Sequence, residues 1–515
     1  VMGYPGATFK LPFDLAGFQF SRNSDKFVPT ALVEGTRNVN FHEGGIGKRG
    51  GNTKLLSSPL TGNPSIHSLF DFRKRNGNQF LLFGTNQGKL YHTSESNVLK
   101  TGMSTNNPFS FAQYGDEVYI ADGGIVPQYW DGVAANTTSV TAPASWAGAS
   151  GQPFQVFFHA RGTNVRLWAV TKDSLWASKN NDPHDFSDLE VRQFPIQSEG
   201  GLVGAIDFNG TVFAFSKTET FIIDDTDPDP DNWGHQKAIW EGGVANWRLM
   251  AKASNNLFLM TEEGLIYSLR GIQATGDYES VAINRPAYID RFMRERVALS
   301  NILNFHCSYD RTRRCITYFF QVSGSNNNTA MNYFIDRPPE IAFIIHDNAN
   351  GSSAYQAAGS CEVRVGTGQW RIYTGDYQGD IWKTEQTSRD DGGISYDAGI
   401  KTRALDLGNP RMWKHFGQGR LKTRAQGNYD LTIRIWVDGV RKDDVPLALT
   451  GTGATFDSAM FDSSVFADDQ IIPALFEIND YGYDVQLEIL NNETGEDFFL
   501  SELLIDYLEL GVRMT

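Results

Sequence analysis

The sequence predicts an all-β protein, a β-propeller of about six to eight blades with an appended C-terminal β-sandwich. Three observations predict it. Glycine accounts for 51 of 515 residues and aromatic residues for 13%, the mix that short strands and tight turns require. Apolar residues alternate with period two along most of the chain, and helical periodicity is rare. A turn leading into a short strand with an aromatic anchor recurs, at Tyr91, Trp130, Trp176, Phe221, Tyr267, Phe334 and Trp382. The anchors stand 39, 46, 45, 46, 67 and 48 residues apart, close to the about 40–50 residues of a four-stranded blade.

Residues 1–56 lack the repeat and are expected to form an N-terminal arm or partial strand set. The propeller is expected over 57–399. Upstream of the anchors lies a second strand, such as NQFLLFGT before Tyr91 and GTVFAFS before Phe221, and a third further back, such as SIHSLFDF and FQVFFHAR. One such unit cannot bury its own apolar faces, and radial stacking does so. The longest interval holds an insertion near 270–300, where PAYIDRFMRERVAL sets Tyr288, Phe292 and Val297 near one helical face. In DSLWASKNNDPHDFSDLE, residues 173–190, Leu175 and Trp176 belong to a blade strand. The polar run after them is expected to cross to the next blade. From 400 to 515 the strands lengthen and alternate cleanly: Val485, Leu487 and Ile489 face one way, Gln486 and Glu488 the other. That texture predicts the sandwich.

Charge narrows the function classes. A net charge of -15 argues against gripping nucleic acid through phosphates and suits a wall that DNA passes without sticking. Three cysteines, Cys307, Cys315 and Cys361, are too few for a disulfide scaffold and predict reduced thiols, with Cys307 and Cys315 as candidate cross-strand neighbours. With no apolar leader and no membrane-length apolar run, a soluble chain made in a cytoplasm is expected.

The sharpest local signal is DDTDPDPD, residues 224–231, where Asp225, Asp227 and Asp229 alternate as ligands converging on Ca²⁺ would. Pro230 and Gln236 stand where an EF-hand-like loop needs Gly and Glu, so a solvated acidic loop is the plainer reading. His184 with Asp185 has a dyad's composition but no second histidine at ligand spacing. His306, Cys307 and Cys315 lack a fourth zinc ligand. EGGIGKRGG, residues 43–51, is glycine-rich, but Arg49 replaces the Ser or Thr of a phosphate loop. Arg311, Arg313 and Arg314 form a basic run at a hairpin turn and are candidate partner contacts. No propeller-enzyme carboxylate pair or Asp-box motif is found, so no enzymatic activity, cofactor or metal is expected.

Three passages carry a resemblance: NVNFHEGGIGKRGGNTKLL (38–56), the stretch 174–224 with its Asp-Pro turn, GG-x-x-G and TETFII, and SNILNFHCSYDRTRRCITYFF (300–320) followed by MNYFIDR. In this order they resemble the tail hub or nozzle (tail tubular-type) proteins of short-tailed, podovirus-like bacteriophages. The resemblance implies a virion tail component assembled in the host cytoplasm as a six-fold ring. It would join an adaptor or portal above to fibre, spike or needle proteins below, with viral DNA passing through during ejection. The alternative is a carbohydrate-binding or carbohydrate-hydrolysing propeller with a lectin-like sandwich. A third reading, a Ca²⁺-dependent adhesin, rests on the 224–231 loop alone.

Overall fold

The computed structural model describes residues 6–20, 31–146, 151–187, 192–227, 229–238, 242–271, 278–348, 353–424, 428–450 and 471–511. Seven four-stranded antiparallel sheets form the blades of a propeller. Their first strands, in chain order, are Ile66–Arg73, Ser110–Tyr114, Gln155–Arg161, Gly204–Phe208, Met250–Ala253, His306–Asp310 and Ala357–Gly366. These seven line the axis, and each blade, numbered 1 to 7, runs outward from it. Every aromatic anchor falls on a third strand, from Tyr91 in Lys89–His92 to Trp382 in Ile381–Gln386. Tyr91, Trp130, Trp176, Phe221 and Trp382 are buried, because the third strand is covered by its own sheet and the neighbouring blade. Clusters such as Phe72, Leu82, Phe109 and Trp130 fill the wedges between blades. Each such side chain contributes about 1.5–3 kcal/mol by burial.

The ring is closed by a strand from the far end of the sequence. Blade 7 takes as its outermost strand Gly51–Lys54, antiparallel to Ile381–Gln386, with Trp382 opposite Lys54 and Gln386 opposite Gly51. At the axis the first strand of blade 7 seats directly on that of blade 1. A Cβ on Gly359 would lie 2.4 Å from the His67 carbonyl oxygen. Gly359→Ala is therefore expected to cost about 1–3 kcal/mol, read as a lower urea midpoint; an unchanged midpoint would refute that seating.

The sandwich has two sheets. One runs Ile471–Gly482, Trp413–Arg424, Phe499–Gly511, Gly45–Lys48, Val39–His42, with Ala7–Pro12 also paired to Phe499–Gly511. The other runs Ala398–Lys401, Val485–Asn491, Asn428–Val437, Val440–Arg441, with Val445–Thr450 on Asn428–Val437. Val485, Leu487 and Ile489 are fully buried between the sheets, as are Ile433, Leu421 and Leu503. The first 56 residues thus supply strands to both units. Phe18 and Phe20 join the core of blades 5 and 6 and pack edge-on against Phe292, at 5.8 and 5.5 Å.

The insertion between Tyr267 and Phe334 holds the fourth strand of blade 5, Tyr278–Ala282, a helix Ile289–Arg296 and a 3-10 turn Leu299–Asn304. Its 272–277 part lies outside the described residues, as do Asp188, Pro228 and 451–470. The polar run after Trp176 does not cross between blades. It links the third and fourth strands of blade 3, Ser174–Ala177 and Arg192–Pro195. The fourth strand is four residues, RQFP, too short and polar for the sequence to mark a strand beyond the run. The run docks on blade 2 instead: Thr141 N donates to His184 O at 2.7 Å and Phe186 N to Thr141 O at 2.9 Å. No helix among the described residues is long and apolar enough to cross a membrane.

Candidate functional site

The densest buried chemistry sits where the chain passes between propeller and sandwich. Two connections make that passage: residues 49–50, and residues 387–397. They are tied by Arg49, whose side chain is fully buried. Its Nη1 and Nη2 donate to the two Asp391 carboxylate oxygens at 2.9 and 2.7 Å, and Nε donates to Asn38 Oδ1 at 3.0 Å. The guanidinium lies 3.7 Å from the Tyr396 ring centroid and 4.7 Å from that of Tyr355. Tyr396 Oη donates to Arg49 O at 2.5 Å. Asp391 also accepts from Asn52 N and Nδ2. Burial opposes the arginine's charge, but Tyr355, Asp391 and Tyr396 outweigh it and raise its pKa. This bidentate, stacked geometry is one that lysine cannot reproduce.

A second buried acid completes the junction. Glu385 holds a left-handed backbone, φ 55°, at a bulge in the third strand of blade 7. That twist turns its carboxylate inward. It accepts from Asn40 Nδ2 at 2.8 Å and Gly50 N at 2.9 Å, and faces Arg313 Nη1 at 3.5 Å. Burial alone would raise its pKa; Arg313, His346, Arg49 and the Gly50 N–H together lower it to about 2. His346 is pushed down to about 3, first by burial and then by Arg49 and Arg313 against the pull of Glu385. The neutral ring donates Nε2–H to Val39 O at 3.0 Å. Lys48, fully buried, donates to Asn491 Oδ1 at 2.8 Å and Glu493 O at 3.0 Å. The Lys-Arg pair of the glycine-rich stretch is therefore engaged by protein groups rather than turned toward a phosphate.

The sequence-predicted residues distribute as follows. Arg313, of the basic run, is drawn inside and donates to Asn40 Oδ1 at 2.6 Å. Arg311 and Arg314 stay at the surface: Arg311 pairs with Glu362 at 3.0 Å and lies 4.5 Å over Trp370, while Arg314 pairs with Asp336. Asp225 turns inward, away from Asp227 and Asp229. It accepts from His159 Nε2 and Arg161 Nη1, both at 2.8 Å. Asp227 and Asp229 accept from the Asp229 and Asp231 amides on the exposed turn, and among the described residues no group of three His, Cys, Asp or Glu gathers as a metal site would. Cys307 and Cys315 are not opposite one another: their cross-strand partners are Tyr318 and Asp310. His184 lies tilted against Tyr129, ring centroids 4.2 Å apart, and meets Glu117 Oε2 at 3.0 Å.

His159 makes a pH-sensitive clasp between blades 3 and 4. Its Nδ1 meets Asp207 Oδ1 at 2.7 Å and its Nε2 meets Asp225 Oδ2 at 2.8 Å, so both nitrogens donate and the ring is an imidazolium. Burial opposes that charge, but the two carboxylates raise the pKa to about 9. A raised folded-state pKa gives stability that is complete below the unfolded value near 6.5 and lost as pH rises through about 9. His159→Gln is expected to flatten that alkaline decline in urea midpoint; an equal decline in the variant would refute the clasp.

Asp391, Glu385 and His346 carry no signal in the sequence, and Arg49 stood out there only against a phosphate loop. The available signal was a charged pair flanked by glycines, GIGKRGG.

No protein-family model and no curated protein matches the chain. Among solved structures it is similar to YCF48 from Cyanidioschyzon merolae, at 10% identity and a TM-score of 0.39, over 65% of this chain and 98% of that one. It is also similar to YCF48 bound to D1 peptide, at 9% identity and a TM-score of 0.38, over 64% and 95%.

Proposed function

We propose that the chain is a structural component of a bacteriophage tail, a hub or nozzle protein that assembles as a ring between the portal or adaptor and the distal tail parts. The observation that carries this reading is the junction. A seven-bladed ring and a sandwich are riveted by a buried bidentate ion pair between their two connections. Such a unit transmits force and position, which a tail conduit needs. The three resembling passages add to it, and 38–56 holds Asn38, Asn40, Lys48 and Arg49 of that junction. In this role the net charge of -15 disfavours DNA adhesion along the conduit. The exposed Arg311 and Arg314, at the tip of a blade 6 hairpin, are the contacts offered to a neighbour. Quantitative mass spectrometry of purified particles tests the reading. About six wash-resistant copies per portal ring are expected of a cyclic assembly. A chain absent from particles and free in the lysate would overturn it.

A second reading is favoured by one observation. A cavity of about 200 Å³ between blades 3 and 4 is lined by Arg161, Arg166, Asp225, Asp227, Trp168 and Trp233. Trp168 and Asp225 are buried, so Trp233 and Asp227 are the groups a sugar would meet, and a glycan array would detect the binding.

A further inference from the structure

We infer that the axial cavity of the propeller binds a small organic anion, a carboxylate or phosphate head on an apolar body. The cavity, about 340 Å³, is lined by the first strands of all seven blades. Among the described residues no Asp or Glu lines it, although the chain carries 60 of them; Arg248 and Lys252 do. Lys252 is exposed and pairs with Asp207 at 3.3 Å. Arg248 lies deeper. Its side chain reaches from the start of blade 5 across the axis, where Nη2 donates to His67 O of blade 1 and Ala358 O of blade 7. Among the described residues no carboxylate pairs with it. Two carbonyls satisfy N–H groups but do not neutralise a guanidinium, and a half-buried cation without a counter-charge leaves room for an anion.

Further donors stand around it. His67 and His306 both line the cavity and are more than nine-tenths buried. His67 Nε2 and both His306 ring nitrogens meet no partner at strict hydrogen-bond geometry, although the Thr85 and Asn304 backbones lie near the two rings. A neutral imidazole has one N–H to give. The rest of the lining mixes Ser68, Ser110, Gln155 and Ser360 with an aromatic wall, where Phe70 and Phe111 stack at 5.4 Å and Trp247 stands beside Arg248. A forked cation, imidazole donors and an aromatic wall recognise an oxyanion with a flat or apolar body.

The test is calorimetric titration of the full chain, at low ionic strength, with acetate, benzoate and inorganic phosphate. Saturable binding of one benzoate per chain, tighter than acetate, is expected for a carboxylate site; a preference for phosphate would identify a phosphorylated ligand. Arg248→Gln should weaken binding about tenfold or more, and Lys252→Gln, at the exposed rim, roughly two- to threefold. Because Arg248 also ties three blades, its variant is read beside a crystal soaked in 4-bromobenzoate, where bromine should appear in the axial cavity. If none of the three probes saturates, or bromine is absent from the cavity, Arg248 is a strut alone and the inference fails.

Discussion

Replacing Arg49 with methionine is expected to destabilise the protein by about 3–5 kcal/mol, the cost of leaving one partner of a buried ion pair alone. The pair is fully buried on both sides, so water cannot replace the lost donors at Asp391. The loss has a particular form. Arg49 and Asp391 belong to the two connections between propeller and sandwich, and Asn38 and Tyr396 hold the same guanidinium from the sandwich side. Arg49→Met should therefore split one calorimetric unfolding transition into two, as the sandwich comes free first. Arg49→Met with Asp391→Leu should recover most of the loss, since removing both charges leaves neither unpaired. A single transition with an unchanged midpoint would refute the rivet.

The blades were legible because their signal is local. Tyr91, Trp130, Trp176 and Phe221, each on a third strand, pack against the preceding blade, Phe334 packs toward the sandwich, and burial favours an aromatic there whatever the rest of the blade contains. The seven anchors consequently mark seven blades one for one. Closure of the ring was not legible. Gly51–Lys54 is GNTK, four residues without an apolar pattern, and its partner lies more than three hundred positions away. What specifies it is long-range: the backbone ladder, the space around Gly51, where a Cβ would come 2.0 Å from Asp390 O, and the side chains of Asn52 on Asp391 and Lys54 on Asp380. The strand Trp413–Arg424 escaped for a similar reason. Its sequence WKHFGQGRLKTR reads as basic and exposed, yet Lys414 is fully buried, its ammonium donating to the Asn409, Met412 and Tyr483 carbonyls. The junction was half legible. The glycines around Lys48 and Arg49 signalled close approach, but nothing local said that the approach was to Asp391 rather than to a phosphate. Long-range charge pairing leaves no period in a sequence.

Acid should unfold this protein steeply, beginning near pH 6.5. His67 and His346 are both held down to about 3, burial being the largest cause and Arg248 or Arg49 adding to it. His306 is lowered well below 6.5 by burial and Arg248. Between the folded and unfolded values the unfolded chain binds the extra proton, so stability falls as pH falls. The slope is about 1.4 kcal/mol per pH unit for each histidine. Glu385 extends the decline. Its folded pKa of about 2 lies below the unfolded value near 4.5, so its contribution is complete above 4.5 and lost as pH drops toward 2. His159 acts in the opposite sense, losing its contribution as pH rises through about 9. Stability should therefore peak near pH 6.5, with an acid limb set by the axis and the junction and an alkaline limb set by the clasp between blades 3 and 4. Urea midpoints from pH 4 to 9 check this. His346→Gln is expected to make the acid limb shallower by about one proton's slope while leaving the alkaline limb unchanged. A midpoint flat from pH 7 to 5 would mean that these imidazoles are protonated in the folded protein, and the buried neutral network described here would be wrong.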